Sequence, residues 1–330
     1  MNLSEPTLTV LVSSAGRRVA LMECFRDAAV TLGLSLKLLA VDVAPELSAA
    51  CAVADRVLRV PCCTDPSFVT IVADIVRTER VQLIVPTIDT ELAAYAAARV
   101  RLRELGAWVS ISSPEVVAIA RDKLATAERL DAGSIAVART VSLETARANP
   151  GLFPGPLIVK PRGGSASIGM HRLGSLAELG ALGDAYDPFI VQEHLVGPEY
   201  TVNLFFDRSG SLRSVVPHLR LEVRAGEVSK ARTVRDRRLI DQAVRLSAVL
   251  NGAVGSLCYQ AIDVGADEEP RVIEVNARFG GGYPVTHRAG APFARWILEE
   301  ALGRQPSVSG LTQWREGVTM LRYDTAVFTG

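Results

Sequence analysis

Residues 157–170 have the sequence Leu157-Ile158-Val159-Lys160-Pro161-Arg162-Gly163-Gly164-Ser165-Ala166-Ser167-Ile168-Gly169-Met170. An apolar, β-branched run ends on a lysine, a loop of glycine and serine follows, and the chain then becomes apolar again. This pattern predicts a strand, a flexible loop and a second strand. Glycine lets backbone N–H groups approach anionic oxygens, serine adds hydroxyl donors, and a lysine anchored on a strand supplies a fixed positive charge. The stretch therefore indicates phosphate binding, and a surface hairpin is the alternative that has the same local pattern.

This loop differs from the P-loop of nucleotide-binding proteins. The P-loop pattern G-x-x-x-x-G-K-[ST] has its lysine after the glycines. Here Lys160 precedes Gly163 and Gly164. The loop alone therefore does not identify the kind of phosphate site, and the other motifs of the chain are needed.

Length and composition favour a protein that acts on small molecules. The chain has 330 residues with 36 Lys+Arg and 36 Asp+Glu, so it carries no net charge that would favour nucleic acid or a membrane surface. No apolar run approaches the roughly 18 residues of a membrane span, and the N-terminus lacks a basic signal region, so we expect a cytoplasmic protein. The 5 cysteines include no C-x-x-C pair, which predicts reduced thiols and no zinc site.

The first third of the chain alternates between strand and helix patterns. Strands are predicted at 7–13, 36–41, 57–60, 81–85 and 108–111, with helices at 19–32 and 67–78 between them. Such alternation predicts a parallel, doubly wound α/β sheet. Ser113-Pro114-Glu115 then starts a helix, because proline favours the first helical position. We therefore place an N-terminal α/β domain at residues 1–112.

Two kinds of ligand contact are conceivable at the open edge of this sheet. A glycine turn after the first strand and Asp42 after the second resemble part of a dinucleotide fingerprint, but only Gly16 of its three glycines is present. Asp89 and Glu91 follow the fourth strand and are candidate substrate contacts, together with Thr87. Alternatively, both carboxylates simply open the next helix, where its dipole favours negative charge.

Two further domains are predicted beyond this sheet. A linker helix and a small glycine-rich lid occupy residues 113–190, and a sheet domain occupies residues 191–330. In the sheet domain, residues 215–224 and 227–233 predict paired strands with a turn at Ala225-Gly226. The arginine and lysine residues of this pair are spaced by two or four, so we expect them to share one face: Arg220, Arg224, Lys230 and Arg232. That face is either a cradle for phosphate or carboxylate, or a solvated basic surface.

The last informative block is a predicted hairpin formed by residues 259–264 and 271–276. Glu274 and Asn276 are two residues apart, so they point to one face of their strand, and the hairpin can bring Asp263 beside them. Unpaired buried carboxylates cost several kcal/mol, which a divalent cation offsets. Oxygen ligands with few protein contacts suit Mg²⁺ whose coordination is completed by nucleotide phosphates.

Taken together, four separate motifs resemble the ATP-grasp superfamily. They are Arg121-Asp122-Lys123, Lys160-Pro161-Arg162-Gly163-Gly164, Gln192-Glu193-His194-Leu195 with Glu199, and Asp263 with Glu274-Val275-Asn276-Ala277-Arg278. More narrowly, the chain resembles the short enzymes related to the large subunit of carbamoyl-phosphate synthetase and to biotin carboxylase, over about residues 8–325. The resemblance implies a pre-ATP-grasp α/β domain followed by an ATP-grasp fold, which consists of a lid subdomain and a C-terminal antiparallel-sheet subdomain.

The resemblance also implies a role for each matched residue. The ATP-binding set it implies is Lys123, Lys160, Arg162, Gly163, Gly164, Ser165, Gln192, Glu193, His194, Leu195 and Glu199. Within this set the lysines and the glycine loop contact phosphates, residues 193–195 form the adenine hinge, and Glu199 accepts from the ribose. The implied Mg²⁺ ligands are Asp263, Glu274 and Asn276, where Mn²⁺ can substitute. Catalytic contacts with the phosphoryl group or the substrate are expected from Arg278, Lys230 and Arg220.

The function implied by the resemblance is that of an ATP-dependent ligase. Such an enzyme activates a carboxylate as an acyl phosphate and passes it to an amine, releasing ADP and phosphate. The alternatives are a small-molecule kinase on the same fold and a nucleotide-binding regulatory module without catalysis. The expected partners are a small-molecule carboxylate, an amine and a second copy of the chain in a homodimer. Only one ATP-grasp unit is expected, without a biotinyl or glutaminase segment.

Overall fold

The computed structural model describes residues 7–164, 169–182 and 189–329. The N-terminal domain contains five strands: β1 (Thr7–Ser13), β2 (Ser35–Asp42), β3 (Arg56–Arg59), β4 (Leu83–Pro86) and β5 (Trp108–Val109). Its helices are α1 (Val19–Leu32), α2 (Ala49–Ala52), α3 (Phe68–Glu79) and α4 (Leu92–Glu104). The strands form one parallel sheet in the order β3-β2-β1-β4-β5. The predicted doubly wound α/β domain is confirmed.

The turn after β1 uses the acidic residue that a dinucleotide site would need. Gly16 has a φ of 48°, and its backbone N–H donates to Asp42 Oδ2 at 2.9 Å. Ser48 Oγ donates to the Gly16 carbonyl at 3.0 Å. Asp42 therefore holds the chain's own turn, which argues against the dinucleotide alternative.

Two linker helices, α5 (Pro114–Arg121) and α6 (Lys123–Ala132), lead into the lid. The lid contains β6 (Thr140–Ser142), α7 (Leu143–Ala148), β7 (Leu157–Pro161), β8 (His171–Leu173) and β9 (Phe189–Glu193). These strands form an antiparallel sheet in the order β6-β9-β7-β8. Strand β9 runs past the predicted boundary at residue 190, because it pairs with both β6 and β7. Ser165 and the rest of the predicted serine-rich loop, through Ile168, lie outside the described residues.

The C-terminal domain is built on a six-stranded sheet. Its elements are β10 (Glu199–Phe206), β11 (Leu212–Arg224), β12 (Glu227–Thr233), α8 (Arg237–Val249), β13 (Gly255–Ile262), β14 (Arg271–Asn276), α9 (Tyr283–Ala289), α10 (Phe293–Ala301) and β15 (Thr319–Leu321). The order is β14-β13-β10-β11-β12-β15, with antiparallel neighbours. This architecture is the predicted ATP-grasp arrangement of a parallel-sheet domain followed by antiparallel sheets.

The buried apolar core joins the first and last domains, while the lid has a core of its own. Leu11 of β1 belongs to the same buried cluster as Val202 of β10 and Tyr259 of β13. In the lid, Leu157, Val159 and Val191 form a separate small cluster with residues of α7. Burial of apolar surface is the dominant stabilising term. The N- and C-terminal domains therefore form one frame, against which the lid packs as a distinct unit.

Membrane insertion receives no support from the helices. In the described ranges, the helices are too short or too polar to cross a bilayer.

The connection between the lid and the six-stranded sheet requires a glycine. A Cβ atom on Gly197 would overlap the carbonyl oxygen of Asp263, whose backbone N–H donates to the Pro198 carbonyl at 2.9 Å. We expect Gly197→Ala to lower the free energy of unfolding by roughly 2–4 kcal/mol, because backbone must move to admit the methyl group. Urea unfolding followed by circular dichroism measures this change.

Gly151→Ala is the matched control, because a Cβ at Gly151 meets nothing within 4 Å. The control should stay within about 0.5 kcal/mol of the parent protein. Equal stabilities of the two variants would contradict the close approach at Gly197.

Candidate functional site

A cavity of about 470 Å³ lies between the lid sheet and the six-stranded sheet. We call it the lid cavity. Its lining includes Lys123, Lys160, Gly163, Gly164, Gln192, Glu193, His194, Leu195, Glu199, Arg220, Gln260 and Glu274. The structure thus brings residues from all four motifs, which are far apart in sequence, to one cavity. The last motif contributes Glu274.

Lys160 is buried at the end of β7, and its ammonium is held by a neutral partner. Lys160 Nζ donates to Gln192 Oε1 at 2.8 Å, and Gln192 Nε2 donates to Thr140 Oγ1 at 2.8 Å. Burial lowers the pKa of Lys160 to about 8, although the carboxylates of Glu274 and Glu199 oppose this shift. A buried cation without an ion-paired carboxylate is costly, so the site is arranged to receive negative charge.

A second lysine stands beside the glycine loop. Lys123 Nζ donates to the Gly164 carbonyl at 2.9 Å, and its backbone N–H donates to the Arg162 carbonyl at 3.0 Å. The Arg162 guanidinium instead pairs with Asp122 at 2.7 Å. Asp122 also caps α6, accepting from the backbone N–H groups of Leu124 and Ala125. The Arg162 side chain therefore connects the lid to the linker helices. It was expected to contact ATP, but it does not line the lid cavity.

At the predicted hinge, the backbone and not the carboxylate borders the cavity. Glu193 Oε1 accepts from the Arg139 backbone N–H at 2.7 Å and from Arg271 Nη1 at 3.0 Å. The His194 backbone N–H donates to the Pro156 carbonyl at 3.0 Å. These contacts hold the segment in place, so that its backbone edge and the Leu195 side chain are available to a planar base.

Glu199 and Arg220 form an ion pair on the floor of the cavity, with an N···O distance of 3.1 Å. Only 5% of the Arg220 side chain is exposed. Burial raises the pKa of Glu199, and although Arg220 opposes the shift, Glu274 adds to it. A hydroxyl donor or a cation near Glu199 would stabilise its charged form and oppose this rise in pKa.

The register of β13 and β14 places a different residue beside the predicted metal ligands. Gln260 lies opposite Glu274, and Cys258 lies opposite Asn276. Asn276 Nδ2 donates to Glu274 Oε1 at 3.2 Å. Side chains alternate between the faces of a strand, so Asp263, three residues beyond Gln260, does not share its face.

The expected convergence of Asp263 with Glu274 and Asn276 is therefore wrong. Both oxygens of Asp263 accept from Arg238, at 3.1 and 2.7 Å, and Asp236 binds the same guanidinium at 2.8 Å. Asp263 is therefore ion-paired with Arg238 and does not line the cavity. Gln260 was overlooked because the hairpin register cannot be obtained from spacing alone.

Lys230 is a second correction. It pairs with Glu222 at 2.7 Å, and 47% of its side chain is exposed. The pairing of β11 with β12 shifts between Arg220 and Glu222, so side chains beyond the irregularity point to the other face. The expectation that Arg220 and Lys230 share one face is wrong, and only Arg220 faces the cavities.

A smaller cavity of about 230 Å³ adjoins the lid cavity, and the two share Arg220, Gly226, Gln260 and Glu274. We call it the inner cavity. The N-terminal domain contributes Arg18, Thr87, Ile88 and Asp89 to its lining, and the C-terminal domain contributes Glu227, Asn276, Arg278 and Gly280 to Gly282. A ligand here would touch both domains.

Charged residues of opposite sign face each other across the inner cavity. Arg278 pairs with Asp89 at 2.5 Å and donates to Asn276 Oδ1 at 3.0 Å. Burial works against the charge of Arg278, but Asp89 raises its pKa overall. Arg18 lies 3.7 Å from Glu227, and burial together with Arg278 lowers its pKa.

Arg18 was not among the predicted site residues. Its signal was its position in the turn after the first strand, at the carboxyl edge where open α/β sheets bind ligands. Asp89 lines the inner cavity, and its contact with substrate stays a prediction. Glu91 is fully buried and accepts from Ser13 Oγ, Ser14 Oγ and the Thr87 and Ile88 backbone N–H groups, so its assignment to substrate is wrong.

The oxygen atoms near Glu274 could hold a divalent cation only together with the phosphates of a bound nucleotide. Among the residues that the structure describes, no cluster of three or more His, Cys, Asp and Glu could hold a metal. Glu274 supplies one carboxylate, and Asn276 and Gln260 supply amide oxygens. This set suits Mg²⁺, which binds through one or two carboxylates and substrate phosphates.

Comparisons with known proteins agree with this architecture. Residues 120–282 match the family model of the ATP-grasp domain, and residues 10–110 match that of the PylC-like N-terminal domain. The biotin carboxylase domain of 2-oxoglutarate carboxylase from Hydrogenobacter thermophilus, solved with MgADP and bicarbonate, is 17% identical. It has a TM-score of 0.71 over 92% of this chain and 71% of that one.

Two further solved structures show the same fold. N5-carboxyaminoimidazole synthetase from Staphylococcus aureus, complexed with ADP, is 13% identical with a TM-score of 0.70, over 98% of this chain and 95% of that one. L-amino acid ligase from Bacillus licheniformis is 17% identical with a TM-score of 0.68, over 95% of this chain and 78% of that one. The TM-scores show that this chain shares the fold of all three proteins.

The burial of Lys160 predicts a pH-dependent stability. Its pKa falls from 10.5 to about 8 on folding, so between these values the unfolded chain binds a proton that the folded chain has lost. Stability therefore rises with pH through this window. We expect Lys160→Met to remove that part of the rise, as measured by urea unfolding at about pH 7 and about pH 9.5.

Lys37→Met is the control, because Lys37 is a partly exposed lysine that pairs with Glu79. This variant should retain the parent's pH dependence in the same window. A Lys160→Met protein whose stability changes with pH in parallel with the parent would contradict the burial of the ammonium.

Proposed function

Since the chain belongs to the ATP-grasp superfamily, we propose that it is an ATP-dependent ligase that joins a carboxylate to an amine. The carboxylate attacks the γ-phosphoryl group of ATP to form an acyl phosphate and ADP. The amine then displaces phosphate, forming an amide. The main support for this proposal is that the lid cavity and the inner cavity share Glu274 and Arg220.

In this proposal the lid cavity holds ATP. Lys123 and Lys160 contact the phosphates below Gly163 and Gly164, the backbone of residues 193–195 meets the adenine, and Glu199 accepts from the ribose. Glu274, Asn276 and Gln260 hold Mg²⁺, which supplies charge neutralisation between the phosphates. The neighbours solved with MgADP and ADP support this choice of cofactor.

The protein's own part in the reaction is placement and charge balance. Lys160 carries its charge at a site from which water is largely excluded, where electrostatic attraction to a phosphoryl oxygen is strong. Arg278 is fixed by Asp89 and Asn276, so it can orient an anion in the inner cavity without reorganisation. No protein nucleophile is required, and closure of the lid protects the acyl phosphate from hydrolysis.

We further propose that an amino acid occupies the inner cavity. Arg18 and Arg278 match a carboxylate, while Asp89 and Glu227 match an ammonium group, so the lining suits a small zwitterion. The similarity to L-amino acid ligase is consistent with this substrate class. A homodimer and a cytoplasmic location stay predictions.

Replacing Glu274 tests the metal and phosphate end of the site. Glu274→Gln keeps the shape but removes a ligand charge, so we expect turnover to fall by on the order of a hundredfold or more. Glu104→Gln, at the exposed end of α4, is the control for a lost carboxylate and should keep full turnover. Near-normal ADP release by Glu274→Gln at saturating Mg²⁺ would remove Glu274 from the metal site.

Trapping with hydroxylamine separates a ligase from a kinase. With ATP, Mg²⁺ and a panel of amino acids and other carboxylates, a ligase should yield a hydroxamate when hydroxylamine is added, because the nucleophile intercepts the acyl phosphate. With the correct amine it should yield an amide, ADP and free phosphate, measured by mass spectrometry and phosphate release. If a stable phosphorylated product forms without hydroxamate or free phosphate, the protein is a kinase and the ligase proposal is wrong.

A further inference from the structure

A third cavity, of about 640 Å³, lies at the junction of the N- and C-terminal domains. We call it the arginine cavity. Arg99 and Arg103 enter it from α4, and Arg208 enters it from the turn between β10 and β11. Its described lining residues differ entirely from those of the lid and inner cavities. The proposed ligase reaction makes no use of it.

The three guanidinium groups are gathered without acidic partners. Arg99 and Arg103 are four residues apart, so they share one face of α4. The Arg208 guanidinium lies over the Trp108 ring, 3.9 Å from its centroid. In the described part of the chain, none of the three forms an ion pair.

Glu300, which lies beside Arg208, does little to balance this charge. Glu300 Oε1 accepts from the backbone N–H of Arg208 at 2.7 Å, and its other oxygen is buried without a partner. Burial raises the pKa of Glu300 to about 7, so the group is partly neutral near that pH. Burial also lowers the pKa of Arg208, and while Glu300 opposes this shift, Arg103 adds to it.

Helix electrostatics explain only part of this arrangement. A cation near the carboxyl end of α4 is favoured by the helix dipole, which accounts for Arg103. Arg208, however, comes from the other domain and is held against Trp108 beside Arg103. Bringing like charges together across a domain boundary costs Coulomb energy, which a bound anion would offset.

We propose that the arginine cavity binds the phosphate group of a small organic molecule. Three guanidinium groups match the negative charge of a phosphate dianion and can donate hydrogen bonds to its oxygens. The apolar part of the ligand packs on Val109, Ile111 and Val254, which line the same cavity. Because the walls belong to both domains, such a ligand bridges them.

Binding of phenyl phosphate, measured by isothermal titration calorimetry at constant ionic strength, tests this site. We expect saturable binding to the parent protein and at least about tenfold weaker binding to an Arg103→Gln/Arg208→Gln double variant, because charged hydrogen bonds are lost. Binding of ADP to the double variant should be unchanged. Its unfolding midpoint shows that it remains folded.

Two further variants locate the binding. Arg101→Gln removes one charge from the same helix at an exposed position outside the cavity, and should bind phenyl phosphate normally. Lys160→Ala alters the lid cavity and should also bind it normally. Absence of binding to the parent, an equal loss in Arg101→Gln, or a loss confined to Lys160→Ala would each overturn the proposal.

Discussion

The ion pair between Arg278 and Asp89 connects the two halves of the site. Asp89 follows the fourth strand of the parallel sheet, whereas Arg278 follows the last long strand of the antiparallel sheet. Both side chains are largely buried, 12% and 15% exposed, so either charge alone would be costly. Their pairing sets the distance between the domains at the inner cavity. Two buried apolar clusters, each with residues from both domains, stabilise this arrangement.

Lys160 shows the opposite arrangement, a buried charge with a neutral partner. Gln192 satisfies one of its hydrogen bonds but supplies no negative charge. The free protein is therefore less stable than it would be with an apolar residue of similar size at this position, and a bound anion recovers that loss. The same logic applies to the three arginines at the far junction of the domains, where the cost is smaller because those side chains are more exposed.

The sequence was sufficient for the fold, because alternating strand and helix patterns and the order of four motifs act over long segments. It also placed Glu274 and Asn276 on one face, where both line the inner cavity, since spacing along one strand determines which face a side chain takes. Their role as metal ligands stays a prediction. It failed where two strands had to be aligned. Asp263 was predicted beside Glu274, but the strand register places Gln260 there. Lys230 was predicted to share a face with Arg220, but a register shift within that strand pair reverses the face of the residues beyond it. The position of Arg18 after the first strand was a signal for a ligand-facing residue, but its place opposite Glu227 depends on how the two domains pack, which no local pattern contains.

Three charged residues lie where the lid cavity and the inner cavity meet: Glu199, Arg220 and Glu274. In the structure Arg220 pairs with Glu199 on the lid-cavity side, while its guanidinium also borders the inner cavity. A ligand donor at Glu199 would share this carboxylate with Arg220, because a carboxylate accepts several hydrogen bonds at once. Only 5% of the Arg220 side chain is exposed, so solvent screens its charge weakly, and this charge acts on an anion in either cavity. A single arginine therefore contributes to the electrostatic field of both cavities.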